Sequence, residues 1–182
     1  MDKFVMYLRQ KKPGTIISIR DFIVKWIMSG LGIVPMTATL SARITRKNGT
    51  VDNRGIISVH AVTDAFVAQL VDTLQSPEAT FSDYKYHDSG TGTNVETAAD
   101  TTLETPTGEA RDTGTQIEGA TANVYKSVAI NTYAGSFAIT EHGLFNLATG
   151  GTLMDRSVFA ALTVASGDQI EFTYQLTCAA GG

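Results

Sequence analysis

The sequence predicts a mainly β protein: an antiparallel β-sandwich of about seven strands, with one or two early helices and an N-terminal arm. Three observations lead there. Charged residues make up only 18% of the 182, and threonine, serine, alanine and glycine fill the deficit, a composition suited to strands joined by tight connections. Near the end, Ile170, Phe172, Tyr174 and Leu176 alternate with Gln169, Glu171, Thr173, Gln175 and Thr177, the pattern of a strand with one buried and one wet face. Earlier, Lys47-Asn48-Gly49 separates two extended runs, and Asn-Gly is the strongest short hairpin signal.

Taken in order, Met1–Lys12 reads as an arm, closed by Pro13-Gly14. The stretch "TIISIRDFIVKWIMSGLGIVP" then places Ile16, Ile19, Phe22, Ile23, Trp26, Ile27 and Leu31 at helical spacing. Thr15 or Ser18 can cap this helix, Gly30-Leu31-Gly32 ends it, and Pro35 blocks continuation. Its apolar face packs either on its own domain or on a neighbouring subunit. Arg20, Asp21 and Lys25 interrupt it, so no membrane span of the required ~20 apolar residues is expected. The charged N-terminus lacks the apolar region and cleavage site of a secretory leader. The domain division is therefore 1–38, arm and apolar helix, and 39–182, the sandwich.

Within the second part, "TLSARITRKNGTVDNRGIISVHAV" is the hairpin. A helix is expected over 63–76, capped by Thr63 or Asp64, with Phe66, Val67, Leu70, Val71 and Leu74 as its stripe and Ser76-Pro77 as its stop. "TFSDYKYH" is a strand. The segment 91–115 is polar and aperiodic, a loop of a length that is uncommon unless it does or touches something. Strands resume with "NVYKSVAI", "SFAITEHGLF" and "RSVFAALTVASGDQIEFTYQLT", the last folded at Ser166-Gly167-Asp168.

The stretch "YHDSGTGT", Tyr86 to Thr93, raises the question of chemistry. Gly90-Thr91-Gly92 lacks the third glycine of a dinucleotide fingerprint, because Val95 holds that position, and no Gly-Lys-Ser/Thr triplet exists. The glycines are expected to supply positive φ where a strand leaves its sheet. His87, Asp88, Glu141 and His142 are acceptable metal ligands by type. Neighbours in a strand point to opposite faces, however, so neither pair can converge; hydrogen-bonded histidines near a sheet edge are expected instead. No G-x-S-x-G elbow activates a serine. Cys178 is the only cysteine, which forbids an internal disulfide, and it reads as a packing residue. The carboxylate pairs Glu96/Asp100 and Glu104/Glu109 lie in the polar loop, without the burial that tunes a general acid. No catalytic residue, cofactor or metal ligand is therefore assigned. The net charge of −4 argues against nucleic acid as a partner, and the clusters Arg9, Lys11, Lys12 and Arg43, Arg46, Lys47 read as a solvated face or a partner surface.

Four segments carry a resemblance: "VTDAFVAQLVDTLQ", "HDSGTGTNVETAADTTLETP", "RDTGTQIEGATANVYKSVA" and "ITEHGLFNLATGGTLMDRSVFAALTVASGDQIEFTYQLT". Together, over about Leu40 to Gly182, they resemble a group of tailed-bacteriophage virion proteins that share a "GxGT…A…DT.L" loop, an "I.EHGLF" strand, a "GG.L.DR..F" turn and a closing "SGD.I.FTY.L" hairpin. The resemblance implies a non-enzymatic β-sandwich of the virion, foremost a capsid decoration or cement protein. A tail, neck or baseplate component is the first alternative, and a receptor- or glycan-binding module of a fibre the second. It implies major capsid, tail or neck proteins as partners, and self-association. Trp26, Tyr84 and Tyr86 are the aromatic residues suited to anchor an interface, or else to pack the core.

Overall fold

A computed structural model describes residues 36–75 and 84–178. The expected arm, the first helix with Trp26, and Ser76-Pro77 lie outside the described residues.

The chain Met36–Cys178 forms one unit of two antiparallel sheets. Strands β1 (Met36–Thr45) and β2 (Val51–His60) form the hairpin expected around Asn48-Gly49. Helix α1 (Asp64–Gln75) follows, then β3 (Tyr86–Gly90), β4 (Asp112–Thr113), β5 (Thr115–Glu118), β6 (Val124–Thr132), β7 (Phe137–Phe145), β8 (Leu153–Val164) and β9 (Gln169–Cys178). The five-stranded sheet has the order β2-β1-β9-β6-β5 and the four-stranded sheet β4-β3-β7-β8. The chain crosses between sheets after β2, β4, β6 and β8, and β9 returns to fill the gap between β1 and β6. Among the described residues nine strands stand where about seven were expected. The additions, β4 and β5, are two and four residues long, too short to show alternation.

The core lies between the sheets, as the alternation requires. Ala38, Leu40, Ala42 and Ile44 of β1 and Ile170, Phe172, Tyr174 and Leu176 of β9 are at most 4% exposed. Full burial of each large side chain contributes about 1.5–3 kcal/mol. Helix α1 starts where the sequence places it: Thr63 Oγ1 accepts the Phe66 N–H at 3.2 Å as an N-cap. Its stripe is only partly buried. Phe66 packs inward, but Val67, Val71 and Leu74 are exposed, Leu74 by 81%. The helix lies along β8 at the rim of the sandwich, so one row of side chains has a surface to cover and the other has none.

The outer face of the four-stranded sheet is also dry. Leu103, from the long loop, packs there with Phe145 and Leu153, and Tyr86 lies against them. The expected polar excursion is thus a third layer, folded back on the sheet.

Candidate functional site

The site that organises this loop is built on β7. Alternation along the strand sends His142 into the core and Glu141 to the opposite face, under the loop. Glu141 is nevertheless 0% exposed. Its Oε1 accepts the N–H groups of Thr105 at 2.7 Å and Gly92 at 3.1 Å, and its Oε2 accepts the N–H of Glu104 at 3.0 Å. The register pairs Gly143 with Arg156 of β8, which sets Arg156 on the same face. Its Nε donates to Glu141 Oε2 at 2.8 Å, Nη1 to Asp100 at 3.0 Å and Nη2 to Glu104 at 3.4 Å. Glu104 in turn accepts the N–H groups of Thr93 and Asn94, both at 2.8 Å.

One carboxylate and one guanidinium therefore fasten the loop at several points. Burial alone would push the Glu141 carboxyl up; the backbone donors and Arg156 outweigh it and hold it below the usual carboxylate range. Burial likewise opposes charge on Arg156, but Glu141 and Asp100 raise its basicity.

The two glycines of the Tyr86–Thr93 stretch, Gly90 and Gly92, serve this site by their lack of a side chain. Neither has positive φ, contrary to the sequence expectation. A Cβ on Gly90 would lie 2.4 Å from Glu141 Oε1 and 2.5 Å from the Thr105 carbonyl oxygen, and one on Gly92 2.6 Å from both Glu104 Cβ and Glu141 Oε1. Close approach of backbone to a buried carboxylate is the requirement here. Gly90 does end β3, and it bridges to Pro106 across the loop.

The far end of the loop is held by Arg111. Its Nε donates to Asp88 at 3.1 Å and its Nη1 to the carbonyls of Leu147 and Gly150 at 2.8 and 2.6 Å. The guanidinium carbon lies 3.3 Å from the Phe145 ring centroid, a cation–π contact. Val95, 79% exposed, projects from this fastened frame.

The histidines occupy a different place. His87 and Asp88 do face opposite ways, as do Glu141 and His142. The expected sheet-edge position is wrong, however: His87 and His142 are both 0% exposed, and β7 is an inner strand. His87 Nδ1 lies 2.9 Å from His142 Nε2, and His87 Nε2 lies 2.8 Å from Ser127 Oγ of β6. Among the described residues, no group of three or more His, Cys, Asp or Glu is placed to hold a metal ion, and no helix is long and apolar enough to cross a membrane.

Of the aromatic candidates, Tyr84 is 1% exposed, its ring edge-on to Phe66 at 5.2 Å and its hydroxyl donating to Gln69. Tyr86 is half-buried against the loop cluster. Cys178 is exposed rather than packed, because β9 ends there. Sequence reasoning named Glu141 only as a possible ligand and passed over Arg156 as an individual residue. The signal was a charged pair, Asp155-Arg156, inside an otherwise strand-like run.

Compared with protein-family models, with curated proteins and with solved structures, the chain matches none.

Proposed function

We propose that the protein is a non-enzymatic structural component of a tailed-bacteriophage particle, foremost a capsid decoration protein that stabilises the shell through contacts between subunits. One observation carries the reading. The motif residues behind the virion resemblance, Gly90, Gly92, Asp100, Leu103, Glu141, Phe145, Leu153 and Arg156, come together in three dimensions around one fastened loop, with Glu104 of the same segment among them. The polar groups among them are engaged with one another in holding backbone.

A pre-ordered loop binds a partner without the entropic cost of ordering it, the property that a repeated lattice contact needs. Binding only to the assembled lattice then shifts the equilibrium toward it. The exposed apolar residues Val51, Ile56 and Val59 of β2 offer further contact area. A glycan-binding module would need aromatic faces open to stack on sugar, and the Tyr84 ring is in the core.

The test is to purify particles of the phage that encodes the chain and to count its copies. A capsid decoration protein is present in hundreds of copies, and a neck or baseplate component in about 6 to 12, from icosahedral and closed-ring symmetry respectively. Val95→Glu should leave the fold intact and lower the number of copies retained. Particles without the protein would refute the reading.

A further inference from the structure

The chain has three histidines, His60, His87 and His142, and all three lie in one polar seam through the sandwich interior. From β6, Ser127 Oγ meets His87 Nε2, and from β3, His87 Nδ1 meets His142 Nε2 of β7 at 2.9 Å. Next along the sheet, His142 is paired in register with Ser157 of β8. Ser157 Oγ lies 3.1 Å from both His60 Nε2 and Asp155 Oδ1. His60, on β2, forms an ion pair with Asp155, their side chains 5% and 0% exposed, and its Nδ1 lies 3.0 Å from Ser58 Oγ. The seam thus joins strands of both sheets.

Its two ends differ in chemistry. His60 faces a carboxylate. Burial alone would lower its basicity, but Asp155 outweighs burial and raises it, with Glu96 adding to the effect. The His87–His142 rings face neutral partners, Ser127 from β6, Phe172 from β9 and Ser157 from β8, and Asn131 of β6 donates to the His87 backbone carbonyl. His60, of like sign when protonated, opposes charge on His142. Asp155, the carboxylate of the seam, is engaged by His60. A single proton fits between His87 Nδ1 and His142 Nε2; one further proton leaves a cation in the core, and charging both rings also sets donor against donor across that contact. Burial drives the His87 pKa down to about 3 and that of His142 well below its ordinary value, the latter assisted by the other two histidines.

We propose that the His87–His142 pair, two neighbours in the four-stranded sheet tied to the five-stranded sheet through Ser127, is an acid-operated latch: it holds the sandwich closed while neutral, and its protonation unfolds it. The latch does not depend on the particle role. The sign follows from linkage. In the unfolded chain each of the two imidazoles takes a proton below about pH 6.5 that the folded protein refuses, so stability falls as pH falls. Two refused protons lower the folded-to-unfolded ratio by about 100-fold per pH unit. His60 has the opposite, raised shift; its contribution is complete below the unfolded pKa and lost only as pH rises through the folded one. Carboxylates ordinarily titrate near pH 4, below the window from about pH 6 to pH 5, and Asp88 and Asp112, which burial raises, act on stability with the opposite sign to the pair.

Two measurements on the full chain test it. Proton NMR of the histidine ring C–H signals, assigned by single substitutions, should show His60 charging in the folded protein while His87 and His142 stay neutral until the fold is lost. Urea unfolding from pH 6 to pH 5 should show the approximately 100-fold loss per unit, and the double variant H87Q/H142Q, which keeps amide hydrogen bonding, should show a nearly flat profile. Titration of either ring of the pair near pH 6.5 in folded protein, or a wild-type slope of about tenfold or less per unit, overturns the proposal. If the double variant does not fold, the wild-type spectra decide alone.

Discussion

Replacing Glu141 with alanine removes one carboxylate and strands four donors. The N–H groups of Gly92, Glu104 and Thr105 lose their acceptor, and the Arg156 guanidinium, 4% exposed, loses its closest counter-charge. The four contacts span 2.7 to 3.1 Å, so both carboxylate oxygens are fully used. Removing one partner of a buried ion pair costs about 3–5 kcal/mol, because the other charge stays behind unpaired. Arg156 retains Asp100 and Glu104, which places Glu141→Ala near the lower end, about 3 kcal/mol. The loss should be local. The loop can lift from the four-stranded sheet while the core between the sheets stays packed, since β9 makes no bond to the loop. Amide hydrogen exchange is the assay. Protection at Gly92, Glu104 and Thr105 should fall by about two orders of magnitude, with protection in β9 nearly unchanged. Unaltered exchange at those three amides, or uniform loss across β9 as well, would show that Glu141 is not what fastens the loop.

Two further outcomes follow from the same geometry. Gly92→Ala forces a methyl to within 2.6 Å of Glu104 Cβ and Glu141 Oε1; overpacking of this kind costs about 1–3 kcal/mol, read as a lower urea midpoint at unchanged slope. At the β8–β9 turn, the Asp168 carboxylate accepts Arg46 Nη1 at 2.8 Å and the N–H groups of Lys47 and Ala165 at 2.9 and 3.0 Å. These partners, Arg46 foremost, hold its pKa down at about 2, against an ordinary 3.8. Its contribution to stability is therefore present above the ordinary value and lost as pH falls toward 2. Asp168→Asn should flatten the stability profile in that acid window, and an unchanged profile there would remove Asp168 from the account.

Much of the sandwich was legible in the residues. Strict alternation marked β9, Asn-Gly marked the β1–β2 hairpin, and Thr63 marked the start of α1, because each signal is local: a side-chain period of two, a two-residue turn, a cap three residues from its donor. The short strands β4 and β5 gave no such signal, and the helix stripe overstated its burial, because periodicity says which residues share a face and not whether a neighbour covers it. The candidate site was the least legible. Glu141 meets Gly92, Glu104 and Arg156 at separations of 49, 37 and 15 residues, contacts that no local pattern encodes. The polar character of the loop was plain, but its order depends on a carboxylate supplied by another element.

By itself the sequence determined the class of the fold, most of its strands and which face of each turns inward, since steric preference and burial act along the chain. Only the tertiary structure decided that the glycines yield to a buried carboxylate, that the polar loop forms a layer, and that every histidine shares one dry seam. Those outcomes depend on distances between segments far apart in sequence, where electrostatics in a water-free interior, rather than local propensity, sets the energy.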